Sequence, residues 1–263
     1  MTSTTPPDLY GTLPDEVRVT SRGAVRIVTL NRPDDSNAVN QAMHDGIKNV
    51  WGLLAADHEA RAVVLTGNGR HFSAGGDMDQ LLRVASDLEL RRRTMRDAKE
   101  LVVGMTQFHL PVVAAVNGAA VGLGCSLVVL CDIVLMHEKA FISDPHVPLG
   151  LVAGDGGAVL WPLLVSMLRA KEYIFTGKRI PAAECERIGL CNRVVAGDVL
   201  EEALTLAEEL AALPAQSVQE TKRAMNMHIE RAMAGVLEFA LAAESESFIA
   251  GDVLEKVAEF RGR

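Results

Sequence analysis

The chain has 263 residues, is 49% hydrophobic and carries a formal net charge of −8. That length and apolar content suit one large domain with at most an appendage, and exclude a disordered or fibrous chain. The acidic balance argues against a nucleic-acid or acidic-membrane binder, while leaving room for an anion held locally by backbone amides. Aromatic residues make up only 4%, so Val, Leu, Ala and Ile must build the core. The four cysteines, Cys125, Cys131, Cys185 and Cys191, form no CxxC pair, and no histidine completes a zinc-ligand spacing, so no metal is expected, and Cys125 and Cys131, in apolar runs, read as buried free thiols. The first residues show no basic and apolar leader, and no apolar run reaches the ~18 residues needed to span a bilayer. The expectation is a cytoplasmic chain with no membrane partner.

In chain order, residues 1–14 are rich in Thr and Pro and read as a loose tail. Residues 16–20 and 24–30 are β-branched runs around Ser21-Arg22-Gly23, a hairpin signal. Residues 40–54 carry apolar side chains near helical spacing. Residues 62–66 (AVVLT) read as a buried strand that leads to a glycine-bearing loop, Ser73-Ala74-Gly75-Gly76-Asp77. A charged helix is expected over 88–108, with Arg91-Arg92-Arg93 on a solvated face. Residues 111–116 (PVVAAV) form another strand, followed by the second glycine loop, 117–124, and a helical turn at 126–130. Strands follow at 132–136 and 140–143. Beyond Asp155, helices are expected over 158–168, 182–188, 200–213, 217–233 and 237–248, with a strand at 191–195 and a break at Pro214. The division this suggests is a tail (1–14), an α/β core (15–197) and a helical region (198–263).

The stretch FISDPHVPLGLVAGDGG, residues 141–157, is the densest in chemistry. His146 stands nine positions before Asp155, among Pro148, Gly150, Gly154, Gly156 and Gly157. Such a path is a tight turn between a strand and a helix, and it suits a titratable pair facing a cleft. The same residues also suit a loop histidine and a helix-capping aspartate that never meet. Both glycine loops place small residues directly after a strand, where a substrate oxygen could approach main-chain N–H groups; either could equally be a structural turn. No phosphate-cradling GK[ST] motif is present. The remaining histidines, 44, 58, 71, 109, 137 and 228, show no partner pattern and read as structural or surface residues.

Leu30-Asn31-Arg32-Pro33 with Asn37-Ala38, then His71-Phe72-Ser73-Ala74-Gly75-Gly76-Asp77, then residues 111–123 with Cys131-Asp132, resemble three ordered signatures of the crotonase (enoyl-CoA hydratase/isomerase) superfamily. Leu149-Gly150 through Gly156-Gly157, Thr176-Gly177-Lys178-Arg179-Ile180 and Gly189-Leu190-Cys191-Asn192-Arg193-Val194-Val195 continue the resemblance. It implies an α/β, crotonase-like spiral of ββα units with a C-terminal helical trimerisation region, assembled as a homotrimer or hexamer. It also implies an acyl-CoA substrate, with coenzyme A entering as part of that substrate and no permanently bound cofactor. Carried over by motif, the thioester oxygen would be held by the Gly76 and Leu123 amides, with His146 as acid/base oriented by Asp155. Asn37, Ala38, Ala74, Asp77, Met78 and Ser126 would line the substrate.

The departures define the chemistry at issue. Ser126 and His146 stand where hydratases of the family keep two glutamates, Ala153 replaces a usual proline, and Asp79 falls where a lysine near the adenine is usual. Ordinary straight-chain hydration is therefore expected to be weak. A branch of the superfamily that cleaves cyclic 1,3-diketones by a retro-Claisen route is similar in its histidine–aspartate spacing, although Leu123 stands where that branch has a further histidine. A third reading is a non-catalytic member that only binds acyl-CoA.

Overall fold

The computed structural model describes residues 9–261. Strands β1 (Val17–Arg22) and β2 (Val25–Leu30) form the expected antiparallel hairpin about Gly23. Helix α1 (Gln41–Ala56) begins at Asn40, whose side chain accepts from the Met43 N–H and so satisfies a donor of the first turn. Strand β3 (Ala62–Gly67) lies parallel to β2. Two helices follow. α2 (Met78–Ser86), capped by Asp77, has no counterpart in the sequence reading, and α3 (Leu88–Gln107) is capped by Asp87. Strand β4 (Val112–Val116) leads through the two-residue β5 (Ala120–Val121) into α4 (Leu123–Val129). Then come β6 (Ile133–His137) and β7 (Phe141–Ser143).

Beyond the glycine-rich turn lie α5 (Gly157–Leu164) and α6 (Met167–Thr176), two helices where one was expected. They are separated at Val165, whose extended backbone ends α5, and Ser166, whose side chain caps α6. β8 (Ile180–Pro181), α7 (Ala182–Ile188) and β9 (Arg193–Val195) complete the core. α8 (Val199–Ala212) is followed by α9 (Ala215–Ser247), one uninterrupted helix of 33 residues rather than the two expected. A last helix, α10 (Asp252–Arg261), was not anticipated.

The main sheet runs β1-β2-β3-β4-β6-β9, parallel from β2 onward, and a small second sheet runs β5-β7-β8. The central strands are apolar throughout because both faces are covered. Val63, Leu65, Val112, Ala114 and Val134 point into the larger core with α1 and α3, while Ala62, Val64, Val113, Ala115 and Leu135 meet Val199, Ala203, Leu204 and Ala207 of α8. α8 is thus a layer of the sheet rather than part of a separate appendage.

Two local readings change. Residues 1–8 of the expected tail lie outside the described residues, but Tyr10 and Leu13 pack on the main core and the Tyr10 hydroxyl donates to Asp57 at 2.7 Å. Arg91 does not face solvent: it is buried, and its guanidinium donates to the Val84 and Ala85 carbonyls at the end of α2. Among the described residues no helix is long and apolar enough to cross a membrane.

Candidate active site

The two glycine loops are bound to each other. The Ser73 N–H donates to Ala119 O at 3.0 Å and the Val121 N–H to Ser73 O at 2.9 Å, a short parallel bridge. Gly75, at φ +88°, has no room for a side chain, since a Cβ would lie 2.6 Å from Val121 O. Positive φ and this close approach both demand glycine. The bridge pairs Ser73 with Ala120, so Gly76 and Leu123 sit at the same offset beyond it. Neighbouring amides are spent: Gly75 N–H on Ser73 Oγ, Asp77 N–H on Val39 O, Gly122 N–H on Ser143 O. Among the described residues nothing accepts from the Gly76 or Leu123 N–H. Both residues border one cavity of about 670 Å3, with Ala74, Asp77 and Met78 also in its wall.

Three of the expected substrate contacts, Asn37, Ala38 and Ser126, do not border the cavity. Asn37 is fully buried and holds the loops together: its amide donates to Asn68 O and His71 O, and its Oδ1 accepts from the Arg32 N–H. Ala38 offers its carbonyl to Arg32 and does not border the cavity. Both are structural because the 31–39 turn, with Ser36 and Asn37 at positive φ, needs an internal set of acceptors. Ser126 is also buried behind the wall, its hydroxyl donating to Asp155 Oδ1 at 2.9 Å.

His146 and Asp155 do meet, but not in the arrangement the sequence suggested. His146 Nδ1 lies 2.5 Å from Asp144 Oδ1, which also accepts the His146 backbone N–H at 3.3 Å. Asp155 Oδ2 is on the other side, 3.7 Å from Nε2. Asp144 therefore fixes the ring through Nδ1, and Asp155 faces the other ring nitrogen. Sequence reasoning passed over Asp144 although it lies two residues before His146 in the same turn. Gly157 makes room for it: a Cβ there would lie 2.6 Å from Asp144 Oδ2.

A fourth titratable group completes the wall. Glu244 comes from α9, about 90 residues on in the chain, and is buried beside the cavity. Its signal in the sequence is a carboxylate on an otherwise apolar stripe, Leu237, Ala240, Leu241, Glu244, Phe248. Gly154 admits it, since a side chain at that position would collide with Glu244 Oε2. His44 also borders the cavity; burial outweighs nearby Asp97 and Asp45 and lowers its pKa, keeping it neutral. His44, Asp45 and Asp97 have ligand atoms within 4.8 Å of one another, but Lys48 and Arg93 already pair with the two carboxylates.

Electrostatics assign protonation. Burial disfavours the His146 cation, but the Asp144 and Asp155 carboxylates outweigh it and lift the imidazole well above its ordinary value. Near neutral pH His146 therefore keeps both ring protons. Burial raises Asp155, against the opposing pull of His146 and of the Ser126 hydrogen bond, making it a stronger base than a solvated carboxylate. Burial and then the Asp155 charge raise Glu244 to about 8, so below that pH it is the neutral acid.

A buried imidazole between carboxyl groups, in the wall of the same cavity as two free amides, is an arrangement chemically able to move a proton and to hold an oxyanion. The Enoyl-CoA hydratase/isomerase family matches residues 20–260. A crystal structure of an enoyl-CoA hydratase/isomerase from Mycobacterium paratuberculosis superposes with a TM-score of 0.92 at 50% identity, covering 94% of this chain and 99% of that one. A probable enoyl-CoA hydratase of Rhizobium meliloti is 33% identical over 92% of this chain and 93% of its own length. A monofunctional enoyl CoA isomerase from M. smegmatis is similar at 31% identity and a TM-score of 0.70, covering 82% and 95%. The chain belongs to the enoyl-CoA hydratase/isomerase family, and its α/β architecture is the crotonase fold.

Proposed function

We propose that the chain processes an acyl-CoA thioester through an enolate, with proton transfer carried by the His146–Asp155 pair. Coenzyme A enters as part of the substrate, and the thioester oxygen docks between the Gly76 and Leu123 N–H groups. The observation that carries this reading is the His146–Asp155 pair in the wall of the cavity that also holds those two unspent amides, with Asp144 bonded to the ring from behind. As charge moves onto the thioester oxygen, two preorganised donors stabilise it, each worth ~3–4 kcal/mol of barrier in comparable sites.

The roles within the pair follow from protonation. Asp155 Oδ2, with Oδ1 occupied by Ser126, accepts the proton from the carbon beside the thioester carbonyl. The imidazolium next to it, anchored through Nδ1 by Asp144, holds that carboxylate ionised and shares its charge. This reverses the division expected from sequence, in which His146 was the base and Asp155 its orienter. The absence of carboxylates at positions 126 and 146 is met by carboxylates arriving from 144, 155 and 244. The solvent-facing Met225, Met227, Val236 and Phe239 of α9 support assembly as a trimer or hexamer, which light scattering at micromolar concentration would test.

The function test is a panel of 2-enoyl- and 3-enoyl-CoA thioesters, with cyclic 1,3-diketones alongside, followed by mass spectrometry in D2O. Deuterium entering the α-carbon of at least one thioester is expected, with weak hydration of crotonyl-CoA. Turnover of a diketone without coenzyme A, and no exchange in any thioester, would remove the reading.

A further inference from the structure

We infer that His44 sets substrate specificity, its imidazole hydrogen-bonding an uncharged oxygen, hydroxyl or ketone, carried along the acyl chain. The inference rests on the acyl-CoA reading above and names the kind of acyl group that site takes. His44 lies one turn into α1, its N–H donating to Asn40 O at 2.9 Å. Val39, just before the helix, is bridged to Gly76, so α1 starts beside the glycine loops. The cavity reaches between α1, α2 and α3, where its wall carries Gln41, His44, Gln80 and Thr94 among apolar neighbours such as Val84 and Met95. Three of those four polar side chains are spent within the protein. The Thr94 hydroxyl donates to Leu90 O at 2.9 Å, the Gln80 amide to Gln41 Oε1 at 2.7 Å, and the Gln41 amide to Asp45 Oδ1 at 2.9 Å. His44 differs. Among the described residues nothing pairs with its buried Nδ1, although a buried polar nitrogen ordinarily finds a partner.

The surroundings select the kind of oxygen. Burial outweighs Asp97 and Asp45 and lowers the His44 pKa, so the ring is neutral near neutral pH. The cations that act on it, Lys48 and Arg93, are already paired with Asp97 and Asp45. A carboxylate at the end of the acyl chain would therefore find no counter-ion in this group. A plain hydrocarbon chain would leave Nδ1 dry and without a partner. An uncharged oxygen meets the ring without carrying a charge into an apolar recess. A hydroxyl, both donor and acceptor, suits either tautomer of the imidazole, and a ketone suits the one that donates.

The experiment uses the full chain and a set of acyl-CoA thioesters of one chain length. The set holds the unsubstituted acyl group, hydroxy and keto forms substituted at successive carbons beyond C3, and a form ending in a carboxylate. Wild type, His44→Leu and His44→Asn are compared by isothermal titration calorimetry, with thermal melts alongside. In wild type at least one hydroxy- or keto-acyl thioester should bind about tenfold or more tightly than the unsubstituted one, and the carboxylate form should not. In His44→Leu that preference should disappear and the unsubstituted chain should bind more tightly. The melting temperature should hold or rise, because an unpartnered nitrogen gives way to apolar surface. His44→Asn should keep part of the preference, and it serves as the readout if the Leu variant does not fold. Three outcomes overturn the inference alone: a preference that survives in His44→Leu, a wild type that ranks the carboxylate form first, or a wild type indifferent to every oxygenated chain. A wild type that binds no thioester removes the acyl-CoA reading and this inference with it.

Discussion

Two of the buried ionic clusters among the described residues are built to opposite ends. At one end of the main sheet, Arg26 is fully buried and donates to both oxygens of Asp57, at 2.6 and 3.1 Å, while Tyr10 adds a third hydrogen bond. Burial there would raise the Asp57 carboxyl, yet the Arg26, Tyr10 and Glu59 N–H hydrogen bonds outweigh it and hold it below its usual value. At the cavity, one imidazole faces three carboxyl groups, two of them pushed upward, and among the described residues the Asp144 Oδ2 oxygen has no partner. The first cluster is satisfied and serves the fold, tying the N-terminal segment and β2 to the end of α1. The second is overstocked with acid, which costs stability and gives groups poised to exchange protons near neutral pH.

Substitutions sharpen that contrast. The largest effect belongs to His146→Ala, which removes the only cation among three acids. Asp155 should then rise further and stay protonated, and turnover on a responsive thioester should fall about 10²–10⁴-fold with the fold intact. Arg26→Met acts on the other cluster and should show the inverse pattern. Leaving Asp57 buried without its partner should cost about 3–5 kcal/mol of stability in urea titrations, with per-molecule activity of the folded fraction nearly unchanged. Equal effects on stability from the two variants would erase the distinction.

Glu244→Gln should stabilise the protein. A carboxyl raised from 4.5 to about 8 is bound to its proton in the fold but ionised when unfolded. Stability is therefore full below about pH 4.5, declines as pH rises toward 8, and is flat beyond. The Gln variant lacks this decline, so its advantage should grow by up to about 1.4 kcal/mol per pH unit across that window, as followed by denaturant midpoints at pH 4, 6 and 8. Ser126→Ala has the smallest expected effect, less than about tenfold on rate. The Ser126 hydroxyl lowers Asp155, so its loss should move the acidic limb of the rate profile to higher pH.

The sequence carries the scaffold further than the site. β-branched runs mark β2, β3 and β4 because those strands are buried on both faces, and Gly75 marks the loop because its approach to Val121 O excludes a side chain. His146 and Asp155 were visible because turn residues surround them. Asp144 was hidden by its ordinary place in a short turn, and Glu244 because only folding brings α9 against residue 154. α2 and α10 escaped notice because they are short helices whose apolar faces, with Val84, Val253 and Val257, close on each other and on Phe248 rather than on the main core. Asn37 and Ala38 were expected at the substrate and lie away from the cavity, because a turn that bonds to itself looks, in sequence, like one that bonds to a ligand.

The central claim is that His146 rests as an imidazolium and that Asp155 is the proton acceptor. Nitrogen-15 NMR of histidine-labelled protein, with His146→Gln to assign the ring, reads this without any substrate. The account predicts that both His146 nitrogens carry protons at pH 7 and remain so well above the ordinary imidazole pKa of ~6.5. A neutral ring with a bare Nε2 at pH 7 would contradict it and return the base role to His146.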